Sequence, residues 1–297
     1  MYPRPFRYLA PGGISEALST LADDEDSRIL AGGMSLIPMM KMRLLRPGTL
    51  VDLRRIPGVD TITEDDTLSI GAMVRHHRVA ADPRIRHHAA ALAEAASWTG
   101  DAQVRNRGTL CGSLAHGDAA ADQPAAVLAL QGTITARSTS GARNIPAEEF
   151  FLDLFTTALQ PAEILTEVAI PRSNPDEGSA YEKVGRRGTR EGFAVVGVAA
   201  WVRLVDGIVD DVRVALTGVG FTPLLAKPVR DALVTTDASP TAVRNAASFA
   251  TDGVHILADL HGSVAYKTHL AQVLTGRALQ RAVARARPPD GVSPLAI

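Results

Sequence analysis

Two runs of small residues are the first candidates for chemistry. One is "AGGMS" (31–35), inside "LAGGMSLIPMM" (30–40). The other is "RGTLCGS" (107–113), inside "RNRGTLCGSLAHGDAAAD" (105–122). Adjacent glycines let a ligand approach the main chain with no Cβ in the way. Where such a run opens a helix, the first N–H groups are unpaired and the helix dipole favours an anion, most naturally a phosphate. Alone, "AGGMS" reads more readily as a tight strand-to-helix turn, because glycine pairs are common in turns. No Gly-Lys-Ser/Thr follows it, and it lacks the G-x-G-x-x-G spacing. "TGVGFTP" (217–223) carries only G-x-G and is weaker still. Two such loops in one domain could clasp both halves of a pyrophosphate. Neither brings a lysine or a metal ligand for a transferred phosphoryl group, which favours a held cofactor over a phosphorylated substrate.

Other reactive side chains lie nearby. Asp122 is placed to accept hydrogen bonds from sugar-like hydroxyls, or to cap the helix that begins there, or both. His116 and Asp118 are two apart with no third partner, a spacing that fits turn residues better than a metal site. The pairs His76–His77 and His87–His88 are adjacent, so their side chains point apart, and they read as surface. Cys111 has no neighbouring base to make it a nucleophile, and reads as a small residue packed in its loop. No catalytic residue and no metal ligand is assigned.

Composition narrows the classes. Hydrophobic residues make up 46% of the 297 and charged residues 21%, the balance of a globular protein of two or three domains. With a net charge of −1 and no basic block, a nucleic acid or anionic membrane finds no electrostatic footprint. Only 4% of residues are aromatic, which argues against a stacking platform for single strands. One cysteine excludes an internal disulfide, and an iron–sulfur cluster or cysteine-rich zinc site built by these residues alone. "MYPRPFRYLAPGG" has no apolar core of signal-peptide length, and the apolar run "FAVVGVAAWV" (193–202) is too short to span a bilayer. A cytoplasmic protein without membrane insertion is expected.

The elements that must position the two loops follow from periodicity. "FRYL" (6–9), "RILAGG" (28–33) and "TLVDL" (49–53) are strands, separated by helices over 15–22, capped by Ser15, and 35–45, capped by Ser35. This βαβαβ order predicts a parallel sheet. "DTITEDDTLSIGA" (60–72) is a hairpin turning at "EDD". Helices follow at 89–100, closed by Gly100, and at 122–132, with Asp122 as cap and Gly132 as stop. Strands are expected at 133–138, 163–171, 179–184, 192–205 and 208–219, and a helix at 265–286. The polar, proline-containing "PRSNPDEGS" (171–179) marks a boundary, and the last residues form a patternless tail.

Taken together and in order, "LAGGMSLIPMMKMRLLRPGTLVDL", "VRNRGTLCGSLAHGDAAADQPAA" and "YEKVGRRGTREGFAVVGVAAWVRL" resemble the FAD-binding medium subunit of the molybdenum hydroxylases, the family of xanthine dehydrogenase and aerobic carbon monoxide dehydrogenase. The resemblance spans nearly the whole chain. It implies an α+β fold: a two-subdomain FAD-binding domain of the vanillyl-alcohol-oxidase (PCMH) type over 1–175, with subdomains of about 1–56 and 57–175. A small α+β domain over 176–288 and a flexible tail over 289–297 would follow. It also implies that Ala31, Gly32, Gly33, Met34 and Ser35, flanked by Leu30 and Leu36, grip the FAD pyrophosphate together with Thr109, Leu110, Cys111, Gly112 and Ser113. Asp122 would meet the ribityl or ribose hydroxyls, and Leu165 would pack near the flavin. A lysine on the following strand would touch the cofactor, with Lys183 as the candidate. Three residues depart from the family pattern. Met34 replaces a usual polar residue, Cys111 a usual glycine, which adds bulk beside the phosphates, and Ala119 a common proline. Backbone donors survive all three.

The function so implied is electron relay. Substrate would be oxidised at a molybdenum cofactor on a large subunit, and electrons would pass through two [2Fe–2S] clusters of a small subunit to FAD on this chain. They would leave to an external acceptor, in a complex expected to be a dimer of heterotrimers. Two other classes stand beside it: a self-sufficient FAD-dependent oxidase of the same fold, and an assembly protein that has lost FAD.

Overall fold

The computed structural model describes residues 2–186 and 192–287; the expected tail at 289–297 lies outside them. The chain opens with β1 (Arg7–Leu9), α1 (Ile14–Asp23), β2 (Ser27–Leu30), α2 (Leu36–Lys41) and β3 (Thr49–Asp52). The three strands form a parallel sheet in the order β1-β3-β2, as the βαβαβ pattern requires. The local detail departs from expectation at two points. Helix α1 begins after Gly13, not behind a Ser15 cap. Helix α2 stops at Lys41, because Arg43 adopts a left-handed backbone (φ 61°) that turns the chain toward β3.

A second unit follows. β4 (Ile62–Glu64) and β5 (Thr67–Gly71) make the expected hairpin. Six helices come next: α3 (His76–Ala81), α4 (Pro83–His88), α5 (Ala90–Trp98), α6 (Ala102–Arg107), α7 (Leu110–His116) and α8 (Asp122–Ala129). β6 (Thr133–Ser138), β7 (Gly141–Pro146), α9 (Ala147–Phe150), the small ladder β8 (Phe151–Asp153) with β9 (Thr156–Thr157), and β10 (Ile164–Pro171) complete it. Its main sheet is antiparallel, in the order β4-β5-β10-β6-β7. The left-handed residue that ends the α8 region is Gln131 (φ 57°) rather than Gly132.

The last unit is an antiparallel sheet of β11 (Glu177–Gly185), β12 (Ala194–Val205), β13 (Ile208–Thr217) and β14 (Leu224–Leu225), with α10 (Lys227–Leu233), α11 (Pro240–Ser248) and α12 (Val264–Ala286). Central strand β12 is buried on both faces. Ala199 and Trp201 join the core of the second unit, while Val196, Val198, Ala200 and Val202 join the core under α12. The two-residue period of a strand thus welds the units through one element. The long helix α12 is clipped across this weld: Arg281 pairs with Glu94 of α5 and Glu182 of β11, and Arg285 with Glu94.

Close approach of β11 and α12 depends on Gly178. A Cβ there would strike the Ala282 carbonyl and stand 2.6 Å from the Ala286 nitrogen. Gly178→Val is expected to force the helix off the sheet, at a cost of about 3 kcal/mol. A fall in Tm with weakened near-UV dichroism would show it.

Candidate functional site

The two glycine-bearing loops, 76 residues apart from Gly32 to Gly108 in the sequence, meet in space. The first joins β2 to α2 at the carboxyl end of the parallel sheet, the usual ligand-binding end of such sheets. The second joins α6 to α7. A Cβ on Gly32 would collide with the Arg107 carbonyl and lie 2.6 Å from the Gly108 Cα, so only glycine lets the loops touch. On the other side, the Ala31 Cβ stands 3.7 Å from the place a Gly112 Cβ would take. Gly33 has φ +73°, which sends the chain back toward α2. Leu30 and Leu36 lie beneath the first loop in a small apolar cluster with Met40 and Leu50.

The first loop offers donors. Among the described residues, the backbone N–H groups from Gly32 to Leu36 donate to no protein acceptor. Ser35 occupies the N-cap position of α2 without a capping hydrogen bond. Thr109 caps α7 and accepts from Gly112 N–H at 3.1 Å. Consecutive unpaired donors on a concave turn suit a multiply charged oxyanion such as a pyrophosphate. The residues present therefore fit a dinucleotide cofactor through main chain rather than side chains.

Cys111 and Leu110 point away from this surface into the core. The Cys111 thiol lies 3.7 Å from the Ile70 carbonyl, and burial pushes its pKa well up. The bulk that distinguishes it from glycine is thus spent in the core and not beside the loop. His116 stacks near Phe155, and Asp118 caps a turn through Ala120 N–H at 2.8 Å. Among the described residues no group of three His, Cys, Asp or Glu could hold a metal ion.

Asp122 is the first residue of α8 but does not cap it; Ala121 holds the cap position. Its carboxylate, 2% exposed, accepts instead from Tyr181 Oη at 2.7 Å and pairs with Lys183 Nζ at 2.8 Å. Burial raises its pKa, while Lys183, Tyr181 and Thr99 pull it down. Lys183 also donates to the carbonyls of Trp98 (3.0 Å) and Gly192 (2.7 Å). Along β11 Lys183 faces this cluster, and Glu182 turns to Arg281. Leu165 lies at a bulge in β10, buried in the core that also holds Leu110 and Cys111.

Sequence reasoning missed Tyr181, Thr99, Gln123 and His76, which complete this cluster. All eight residues of α8 are buried, Gln123 included. A glutamine beside Asp122, in a helix whose other residues are proline, alanine, valine and leucine, was the available signal. The adjacent histidines are corrected as well. His76 is 3% exposed and His88 8%, so one of each pair turns inward. His88 meets Ser173 and Glu64, each at 3.2 Å.

Fold and site together define an FAD-binding subunit of an oxidoreductase. Residues 4–173 match the family described as "FAD binding domain in molybdopterin dehydrogenase", and residues 179–282 match "CO dehydrogenase flavoprotein C-terminal domain". The chain belongs to this family of FAD-binding subunits of molybdenum hydroxylases. It is 36% identical to the 6-hydroxypseudooxynicotine dehydrogenase complex subunit alpha of Paenarthrobacter nicotinovorans, over 97% of this chain and 98% of that one. It is 37% identical to the carbon monoxide dehydrogenase medium chain of Hydrogenophaga pseudoflava, over 96% and 99%. A solved carbon monoxide dehydrogenase from H. pseudoflava, lacking the Mo-pyranopterin moiety of its molybdenum cofactor, superposes with a TM-score of 0.91 at 38% identity. The match covers 96% of this chain and 99% of that one. No helix among the described residues is long and apolar enough to cross a membrane.

The buried ion pair gives a direct test. Lys183→Met should leave Asp122 uncompensated and cost about 3–5 kcal/mol. Adding Asp122→Asn should recover a large part of that loss, since a neutral amide still accepts from Tyr181. Chemical denaturation of the two single variants and the double variant measures the coupling.

Proposed function

We propose that this chain is the FAD-carrying electron-transfer subunit of a multi-subunit molybdenum hydroxylase. It takes electrons from [2Fe–2S] clusters on a small partner subunit and passes them to an external acceptor. A large subunit holds the molybdenum cofactor, and the assembly is a cytoplasmic dimer of heterotrimers. The observation that carries this reading is the meeting of the two loops, with five consecutive unpaired N–H groups at their junction.

Bound FAD supplies the redox chemistry; the protein holds and orients it. Ala31 to Ser35 offer main-chain donors to the pyrophosphate over the apolar floor of Leu30 and Leu36, and Thr109 to Ser113, whose Leu110, Gly112 and Ser113 N–H groups donate within the protein, form the opposite wall. Asp122 meets the ribityl or ribose hydroxyls by exchanging one of its contacts with Tyr181, Lys183 and Thr99. Leu165 packs toward the flavin. Lys183 donates here to the Trp98 and Gly192 carbonyls and to the Asp122 carboxylate, so its contact with the cofactor exchanges one of these bonds. The single cysteine of the 297 residues leaves cluster ligands to another chain. The related complexes support the same division: relatives are named "medium chain" and "complex subunit alpha".

The chain produced alone should bind FAD non-covalently and be bleached by dithionite, yet stay oxidised with aldehydes, purines or N-heterocycles. Co-expressed with its iron–sulfur and molybdenum partners, one of those substrates should bleach it. Rapid substrate-driven bleaching of the lone chain would instead identify a self-sufficient oxidase. Gly32→Leu, which drives a side chain into Gly108, should abolish flavin retention while far-UV dichroism is kept.

A further inference from the structure

Beneath the second loop, polar side chains form a line whose protons can be assigned consistently with the Gln123 amide as placed. The Thr99 hydroxyl proton faces the Ala95 carbonyl at 2.8 Å and the Asp122 carboxylate at 3.3 Å, both acceptors. The Thr99 oxygen therefore accepts, and its donor is Gln123 Nε2. That orientation fixes the rest of the amide. Gln123 Oε1 accepts from the Ser113 hydroxyl at 3.1 Å, and the second Nε2 hydrogen is directed at His76 Nδ1, 3.2 Å away. His76 Nδ1 must then be unprotonated, so the ring carries its proton on Nε2.

The position of the ring matters as much as its tautomer. His76 donates its backbone N–H to the Gly108 carbonyl at 3.0 Å. Its Nε2 edge lies against the same residue: a Cβ on Gly108 would stand 2.9 Å from Nε2. Gly108 is also the residue on which Gly32 rests. The imidazole is wedged under the junction of the two loops, on the side away from solvent. Around it, Gln123 of α8 and Ser113 of α7 are neutral. Arg105 of α6 is the charged group that bears on it, and on its own helix His77 and Arg78 are exposed.

We propose that His76 and Gln123 are positioning residues for the second cofactor loop: the Gln123 amide transmits the protonation state of His76 to Ser113. This rests on the reading that the two loops hold FAD. A proton added at Nδ1 sets donor against donor across the His76–Gln123 contact. The amide must then turn or withdraw, and Ser113 loses the acceptor that anchors its hydroxyl. Burial, aided by the Arg105 charge, holds the His76 pKa down at about 4, against 6.5 for a free histidine. The brace therefore contributes fully above pH 6.5, and its contribution is lost as pH falls from 6.5 through about 4.

The experiment follows FAD release from the full chain by flavin fluorescence, from about pH 7.5 down to about pH 4.5. The wild type should release FAD progressively faster as the pH falls. His76→Leu strands the Gln123 donor, so at neutral pH it should already release FAD about tenfold faster, with a nearly flat pH response. His76→Gln, whose amide oxygen can accept from Gln123, should restore most of the neutral-pH retention but remain flat in acid. Near-UV dichroism of each apoprotein checks folding. A wild-type release rate that is flat over this range overturns the proposal without need of any variant. A His76→Leu profile that superimposes on the wild type does the same. Wild-type protein that takes up no FAD overturns the parent reading and this one with it, whereas tight FAD with a flat profile overturns this one alone.

Discussion

A carboxylate taken out of water must find its solvation in the protein, and around Asp122 that requirement organises the site. Its three partners come from two elements: Thr99 at the end of α5, and Tyr181 and Lys183 on β11. Helix α8, which carries it, has no exposed residue and so must be enclosed on every side. The turn that leads into α8 is fastened to the third sheet. The Thr217 hydroxyl meets the carbonyls of Ala119 (2.6 Å) and Ala121 (2.8 Å), and Gly218 N–H donates to Ala119 at 2.7 Å. The turn from α7 into α8 is therefore held between a fully buried helix and a strand that fastens its carbonyls.

Such a site is made of main chain, and this decides what substitution can do to it. Met34, Cys111 and Ala119 are the residues expected, from the resemblance, to differ from the family pattern. Yet the donors at Gly32 to Leu36 belong to the backbone, the Cys111 side chain lies in the core, and Ala119 takes part through its carbonyl. The residues that cannot change are those whose missing Cβ lets one loop rest on the other.

The same fact sets how far the sequence could be read. The parallel unit of β1, β2 and β3, the hairpin of β4 and β5 and the apolar strands β12 and β13 were legible, because each is written in local periodicity. The paired loops were legible through their composition and order along the chain. Asp122 was misread as a cap because capping is a local preference, whereas its real counter-ion stands 61 residues away. His76 and His88 were misread because adjacency shows only that two side chains diverge, not that one of them enters the core. Gln123 was silent for the same reason: its partners come from α3, α5 and α7, which no window of sequence brings together.

The distance between Asp122 and Lys183 also has a consequence during synthesis. Both glycine loops and the whole parallel sheet leave the ribosome before β11 exists, so the acid at the head of α8 waits without its base. The arginines that lock β11 to α5, Arg281 and Arg285, come later still, in α12. A nascent N-terminal half therefore carries the loops but not the neutralised interior behind them. Closure of the pocket therefore waits until β11 and α12 have both been made.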